Sequence, residues 1–150
     1  MIRSDKPLTS FAPLGVVLFC AATLAGCASV DDNLACATVS DYLAPDIEQG
    51  YYRVVVTHLN DKPVISRPNY QLSPGEYRFT VVELIDDPRL KVALAARTPK
   101  VLTVNVAAGQ RYHLAAKFNT DKGYFGEDTL YWQPEVFLQE AHECQFDSAP

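Results

Sequence analysis

This 150-residue chain lacks an apolar segment long enough to cross a bilayer, lacks an excess of positive charge, and lacks any Cys-x-x-Cys pair. Each absence removes a class. The apolar segment Leu14 to Leu24 (LGVVLFCAATL) would rise only about 16 Å as a helix, roughly half of a hydrocarbon core. With 13 Lys and Arg against 18 Asp and Glu the net charge is −5, and no long charge run breaks the balance. Nucleic acid is therefore not an expected partner, because binding it rests on basic patches that neutralise phosphates. No Gly-x-Ser-x-Gly elbow, phosphate loop, His-Glu-x-x-His or EF-hand-like loop occurs, and no cofactor or metal is implied. A hydrolytic triad can still be assembled from distant residues, so the missing motifs do not by themselves exclude catalysis.

What is present begins at the N-terminus. Arg3 and Lys6 precede the short apolar segment, and small residues follow it, which are the parts of a secretory signal. The small residues end in Leu24-Ala25-Gly26-Cys27, and this run resembles the bacterial lipobox. The resemblance implies a signal at residues 1–26, cleavage before Cys27, and a thiol carrying acyl chains. Two or three such chains hold a protein on a membrane, at about 0.8 kcal/mol per buried methylene. It also implies the outer membrane, facing the periplasm, because Ala28 and not an aspartate follows the cysteine. An ordinary secreted protein, cleaved elsewhere and with Cys27 in a disulfide, is the alternative.

On the lipoprotein resemblance, Cys20 leaves with the signal and Cys27 carries lipid, so Cys36 and Cys144 remain. An oxidising periplasm lets them pair. The alternative is a metal or redox site on His142 and Cys144, for which no dense ligand cluster speaks. The 150 residues less the 26 before Cys27 leave 124, enough for one domain with its own core. Residues 27–35 are the lipidated cysteine and a spacer, and residues 36–150 the domain.

That domain shows short runs of β-branched and aromatic residues divided by Pro, Gly, Asn and Asp, with no long helical period. Tyr51 to Leu59 (YYRVVVTHL) is a first strand, and Asn60 to Pro63 (NDKP) a turn. Pro74-Gly75 turns the chain into a strand on which Tyr77, Phe79 and Val81 share a face. Lys100 to Phe118 is expected as a hairpin bent at Gly109. Leu102, Val104, Val106, Tyr112, Leu114, Ala116 and Phe118 face inward, while Thr103, Asn105, Arg111, His113 and Lys117 face out. Thr129 to Glu140 is a last strand, placed by Pro134 at an edge or a bulge. Leu43 to Gly50 and Leu84 to Lys100 carry no decisive pattern. The fold class expected is all-β, an antiparallel β-sandwich of about six to seven strands, since a single open sheet would leave its apolar face wet. The segments LSPGEYRFTV and VAAGQRYHLAAKF resemble those of small bacterial envelope domains of immunoglobulin-like, transthyretin-like or PEGA-like type, over Tyr51 to Phe118. The whole chain is similar to short proteobacterial envelope lipoproteins. Neither resemblance transfers a functional residue.

The segment of most functional interest is Phe118 to Trp132, where Tyr124 and Phe125 lie between Gly123 and Gly126. Two rings at a loop tip are a candidate partner-binding site, and the alternative is that they fold back onto the sandwich. Trp132 is expected in the core. Asp86-Asp87-Pro88 has the character of a loop exit and not of a catalytic dyad. His58 and His113 are expected as structural or solvated strand residues. The function expected is a membrane-anchored binding or structural module of the bacterial envelope, not an enzyme, whose partners are the membrane and an envelope protein or glycan. An envelope hydrolase or peptidoglycan-modifying enzyme using Glu83, Glu135 or a histidine is one alternative. An inhibitor or chaperone-like factor binding by edge-strand addition is another.

Overall fold

The computed structural model describes residues 35–121, 123–144 and 146. The expected signal, Cys27 and most of the spacer lie outside the described residues. Within them the chain is all-β. The strands in order are β1 (Ala37–Ser40), β2 (Tyr51–Tyr52), β3 (Val54–Leu59), β4 (Lys62–Pro63), β5 (Asn69–Leu72) and β6 (Gly75–Glu83). They continue with β7 (Leu90–Val92), β8 (Lys100–Val106), β9 (Gln110–Phe118), β10 (Tyr124–Gly126) and β11 (Trp132–Ala141). Among the described residues seven of these have four residues or more. Between Leu84 and Lys100 the chain makes both β7 and a 3₁₀ turn at Leu94–Ala96.

Two facing sheets result. The first has the order β11-β9-β1-β5, with β2 also paired to β9, and the second the order β4-β3-β6-β8. The small pair β10-β7 stands apart. Most ladders are antiparallel, as expected, while β1–β9 and β7–β10 are parallel. The expected first strand is shared between the layers: Tyr51 and Tyr52 pair with β9, and beyond Arg53 the chain pairs with β6. The turn after β3 is a two-residue hairpin with Asn60 and Asp61 at φ +49° and +62°. Asn and Asp tolerate this left-handed pair, which matches the strand twist.

The expected Lys100–Phe118 hairpin is corrected by the pairing. β8 lies against β6 in the second sheet, β9 against β11, β1 and β2 in the first, and Ala107 to Gly109 carries the chain across. Alternation shows which residues face the core, and an arch between facing sheets satisfies the same alternation as a hairpin within one. Gly109, at φ +70°, makes the bend, and Tyr112 Oη accepts a hydrogen bond from Ala107 N at 3.0 Å. The inward set is as expected: Val104, Val106, Tyr112, Leu114, Ala116 and Phe118 are buried. The core joins them to Val54, Val56, Phe79 and Val81 from the second sheet, with Tyr70 edge-on to Phe79 across the layers at 6.1 Å.

His113 faces outward as expected but is not solvated, with only 2% of its surface exposed. β9 is paired along both edges, and its outer face is covered as well. Tyr42 and Phe137 stand edge-on to the His113 ring at 6.3 and 6.0 Å. Its Nε2 donates to Glu140 at 2.9 Å, and that bond is the chief reason the Glu140 carboxyl sits below its usual range. Pro134 lies on β11, which is an edge strand with a bulge between Val136 and Leu138.

The ends of the domain are clasped together. Cys36 and Cys144 stand at disulfide distance, their Cα atoms 5.2 Å apart. Cys36 O accepts from Gly109 N at 3.0 Å, and Gly109 O accepts from His142 N at 2.9 Å. The sequence separation is 108, and a loop of that size gives a disulfide up to about 4.7 kcal/mol in the chain-entropy view. The Cys36→Ser/Cys144→Ser variant is expected to lose about 2–5 kcal/mol of unfolding free energy in urea titrations. A midpoint equal to that of the oxidised wild type would show that the clasp carries no stability.

Candidate functional site

The two rings of the expected binding loop part company. Tyr124 and Phe125 belong to β10, where neighbouring side chains point to opposite faces. Tyr124 is 1% exposed and packs with Phe118 and Tyr131 at 6.1 and 6.3 Å, whereas Phe125 is 73% exposed. Pairing with β7 turns an expected loop tip into a strand, and only Phe125 is left on the surface. Leu94 and Leu130 are also exposed, and Ala93 N donates to Gly126 O at 3.0 Å beside Phe125. Trp132 is buried, as expected.

The carboxylates are held in structural networks. Glu83 is buried, accepts from Tyr131 Oη at 2.7 Å and from Ile85 N, and faces the Arg97 guanidinium at 3.6 Å. Burial, and then this bond to Glu83, push the Tyr131 phenol well above its usual range. Glu135 is on β11 in the other sheet, within reach of Tyr51 Oη at 3.3 Å and Gln133. Asp87 ties the loop exit to β2, accepting from Tyr52 Oη at 2.8 Å and from Arg89 N at 2.8 Å, Nε at 2.9 Å and Nη2 at 2.7 Å. The Arg89 side chain is the main reason its carboxyl lies far below the usual aspartate range, against an opposing effect of burial. His58 is half-buried on β3, its Nδ1 3.0 Å from Thr57 Oγ1. Among the described residues no three His, Cys, Asp or Glu side chains converge as metal ligands. Cys144 is paired with Cys36, and His142 is turned to Arg111.

The polar surface of most chemical interest is a hollow of about 470 Å³ on the outer face of the first sheet, next to the clasp. Its walls are Thr38, Arg67, Asn69, Gln71, Arg111 and His142, with Phe146 at one side. The register explains the gathering. Thr38 stands opposite Gln71 on β5 and opposite Arg111 on β9, and Arg111 stands opposite Glu140 on β11. One row of side chains thus crosses four strands on one face. Asn69 belongs to the next row on that face, where its Oδ1 accepts from Ser40 Oγ at 2.6 Å. The clasp brings in His142, whose Nε2 accepts from Arg111 Nη2 at 2.8 Å, since a guanidinium has no acceptor. Arg111 Nη1 lies 3.5 Å from Glu140. Two groups in the hollow have no partner among the described residues: Thr38 Oγ1 and Arg111 Nε, both buried. Chemically this is a site that donates hydrogen bonds and carries two guanidinium charges.

No local signal in the sequence pointed to Thr38, Arg67 or Arg111. Thr38 and Arg111 meet through the parallel β1–β9 ladder, which joins residues more than seventy positions apart, and Arg67 comes in ahead of β5 on the other side of β1. The traces that existed were the outward alternation of Arg111 and the pairing of Cys36 with Cys144 beside His142. Comparison with family models, with curated proteins and with solved structures gives no match to this chain.

Two outcomes follow for the rings and the aspartate. Tyr124→Ala is expected to cost about 3–5 kcal/mol in urea unfolding, as for a buried ring, and Phe125→Ala to stay within about 0.5 kcal/mol. Equal costs would contradict the assigned burial. Asp87→Asn is expected to be less stable than wild type at pH 7 by about 1–2 kcal/mol. Because the folded carboxyl is depressed, its contribution is fully present above the ordinary aspartate value and is lost as pH falls toward the folded one. The gap between the melting temperatures of the two proteins should therefore narrow progressively as pH falls below about 4. A gap that widened on acidification would contradict the network.

Proposed function

We propose that the chain is a lipid-tethered module of the bacterial cell envelope that binds a partner and carries out no reaction of its own. Cys27 holds the acyl chains, the outer membrane is its site, and the two-sheet body faces the periplasm. The observation that carries this reading is the distance along the chain between the lipobox and the folded body. β1 begins ten residues after Cys27, so the body stands no more than about 35 Å from the anchored sulfur. Such confinement raises the effective concentration toward a neighbour in the same envelope.

Structural use of the reactive side chains supports binding over the hydrolase alternative. Glu83, Asp87 and His113 each hold strands or loops together, and none of them lines the hollow. Phe125 is the exposed aromatic anchor for a protein or glycan partner, with Leu94 on the adjoining segment. Edge-strand addition has one specific observation in its favour. β8 pairs only with β6 among the described residues, over seven residues without a bulge, whereas the β11 edge is interrupted by Pro134 and its bulge.

The Cys27→Ser chain is expected to fold as wild type does, with the same melting transition, and to leave the membrane fraction for the soluble one. Fractionation that still finds it in the outer membrane would refute the anchor.

A further inference from the structure

We infer that the hollow between β1, β5 and β9 is a binding site for an oxyanion of phosphate or carboxylate type. This goes beyond the tethered-module reading and holds whether or not Cys27 carries lipid. Thr38 lines the hollow and is only 2% exposed, and its buried hydroxyl has no hydrogen-bond partner among the described residues. A buried hydroxyl without a partner costs folding free energy, so its presence points to a ligand that accepts from it. Arg111 Nε is a second such donor in the same wall. An arginine side chain has donors and no acceptor, so the ligand group that meets it accepts.

The charges agree. In a chain of net charge −5, Arg67 and Arg111 line one hollow, and Glu140, the acidic partner of Arg111 among the described residues, lies 3.5 Å from its Nη1 and leaves Nε unmet. Arg67 is exposed at the rim, where it draws an anion inward, and the amides of Asn69 and Gln71 flank the opposite wall. The hollow lies next to the Cys36–Cys144 clasp, through Thr38 and His142, and its anion is a phosphate on a lipid headgroup or a phosphate in solution, which the test separates.

The test uses two variants, of which Arg67→Gln also removes a guanidinium that stands over the Tyr70 ring at 5.5 Å, so its melting temperature without phosphate is the reference for its response. Thr38→Val keeps the shape and removes the hydroxyl, and Arg67→Gln alters an exposed rim charge. In the detergent-solubilised full chain, inorganic phosphate is expected to raise the melting temperature saturably, and each variant to weaken that binding about tenfold or more. Without phosphate, Thr38→Val is expected to melt at or above the wild-type temperature, because an unmet polar group has gone. The source is distinguished in a Cys27→Ser background with phosphatidylglycerol vesicles. Vesicle binding lost on Thr38→Val assigns a headgroup, and a response to free phosphate without vesicle binding assigns a soluble anion. A shift matched by sodium chloride of equal ionic strength, or retained in full by both variants, would overturn the site and reveal a screening effect only. Either result leaves the Cys27 anchor untouched, since fractionation reads that separately.

Discussion

Burial of β9 on both faces and along both edges is the constraint on which the other features rest. One edge is taken by β11, the other end to end by β1 and β2. The inner face meets the second sheet through Tyr112, Leu114, Ala116 and Phe118. The outer face carries His113 and Ala115, and both are buried. A polar group on a strand enclosed this way is costly unless the protein meets it, since water cannot, and His113 Nδ1 and Arg111 Nε are left without a partner among the described residues. His113 is met by Glu140 on the neighbouring strand, and Arg111 by Glu140 and His142.

The same requirement explains the buried acids. Glu83 would be costly alone, and three chain segments converge on it: Tyr131 before β11, Ile85 after β6, and Arg97 after the 3₁₀ turn. Asp87 does the equivalent service between β2 and the start of β7. Groups that resemble catalytic acids in the sequence are, in the fold, the points at which loops are fastened to the sandwich.

The surface features divide by pole. The clasp, the start of β1 and the polar hollow lie at the β9 end that begins with Gln110. Tyr124, the exposed Phe125 and the β7–β10 pair lie toward its Phe118 end. In the proposed arrangement the tether enters at the first pole. The hollow is then near the anchored surface, and Phe125 points to whatever stands farther away.

Much of the fold was legible because its cause is local. Period-two alternation marked Phe79, Val81, Val104, Val106 and Leu114 as inward, since a strand turns alternate side chains to opposite faces whatever it pairs with. Asn60-Asp61 and Gly109 announced turns through the φ values their residues tolerate, and Pro134 announced an edge through the hydrogen bond it cannot donate. The Cys36–Cys144 pairing followed from the lipoprotein resemblance, and the fold brings the two to disulfide distance. Pairing partners were different. Whether Lys100 to Phe118 closed as a hairpin or arched between sheets, whether Tyr124 stayed at a tip or became a strand, and whether Thr38 met Arg111 all depended on contacts between distant segments. So the residues themselves determined which elements form and which way each one faces, because those preferences are set within a few bonds. Only the tertiary structure decided which strands are neighbours, and with them which polar groups are enclosed and which hollow is left open, because enclosure is a property of the assembled layers.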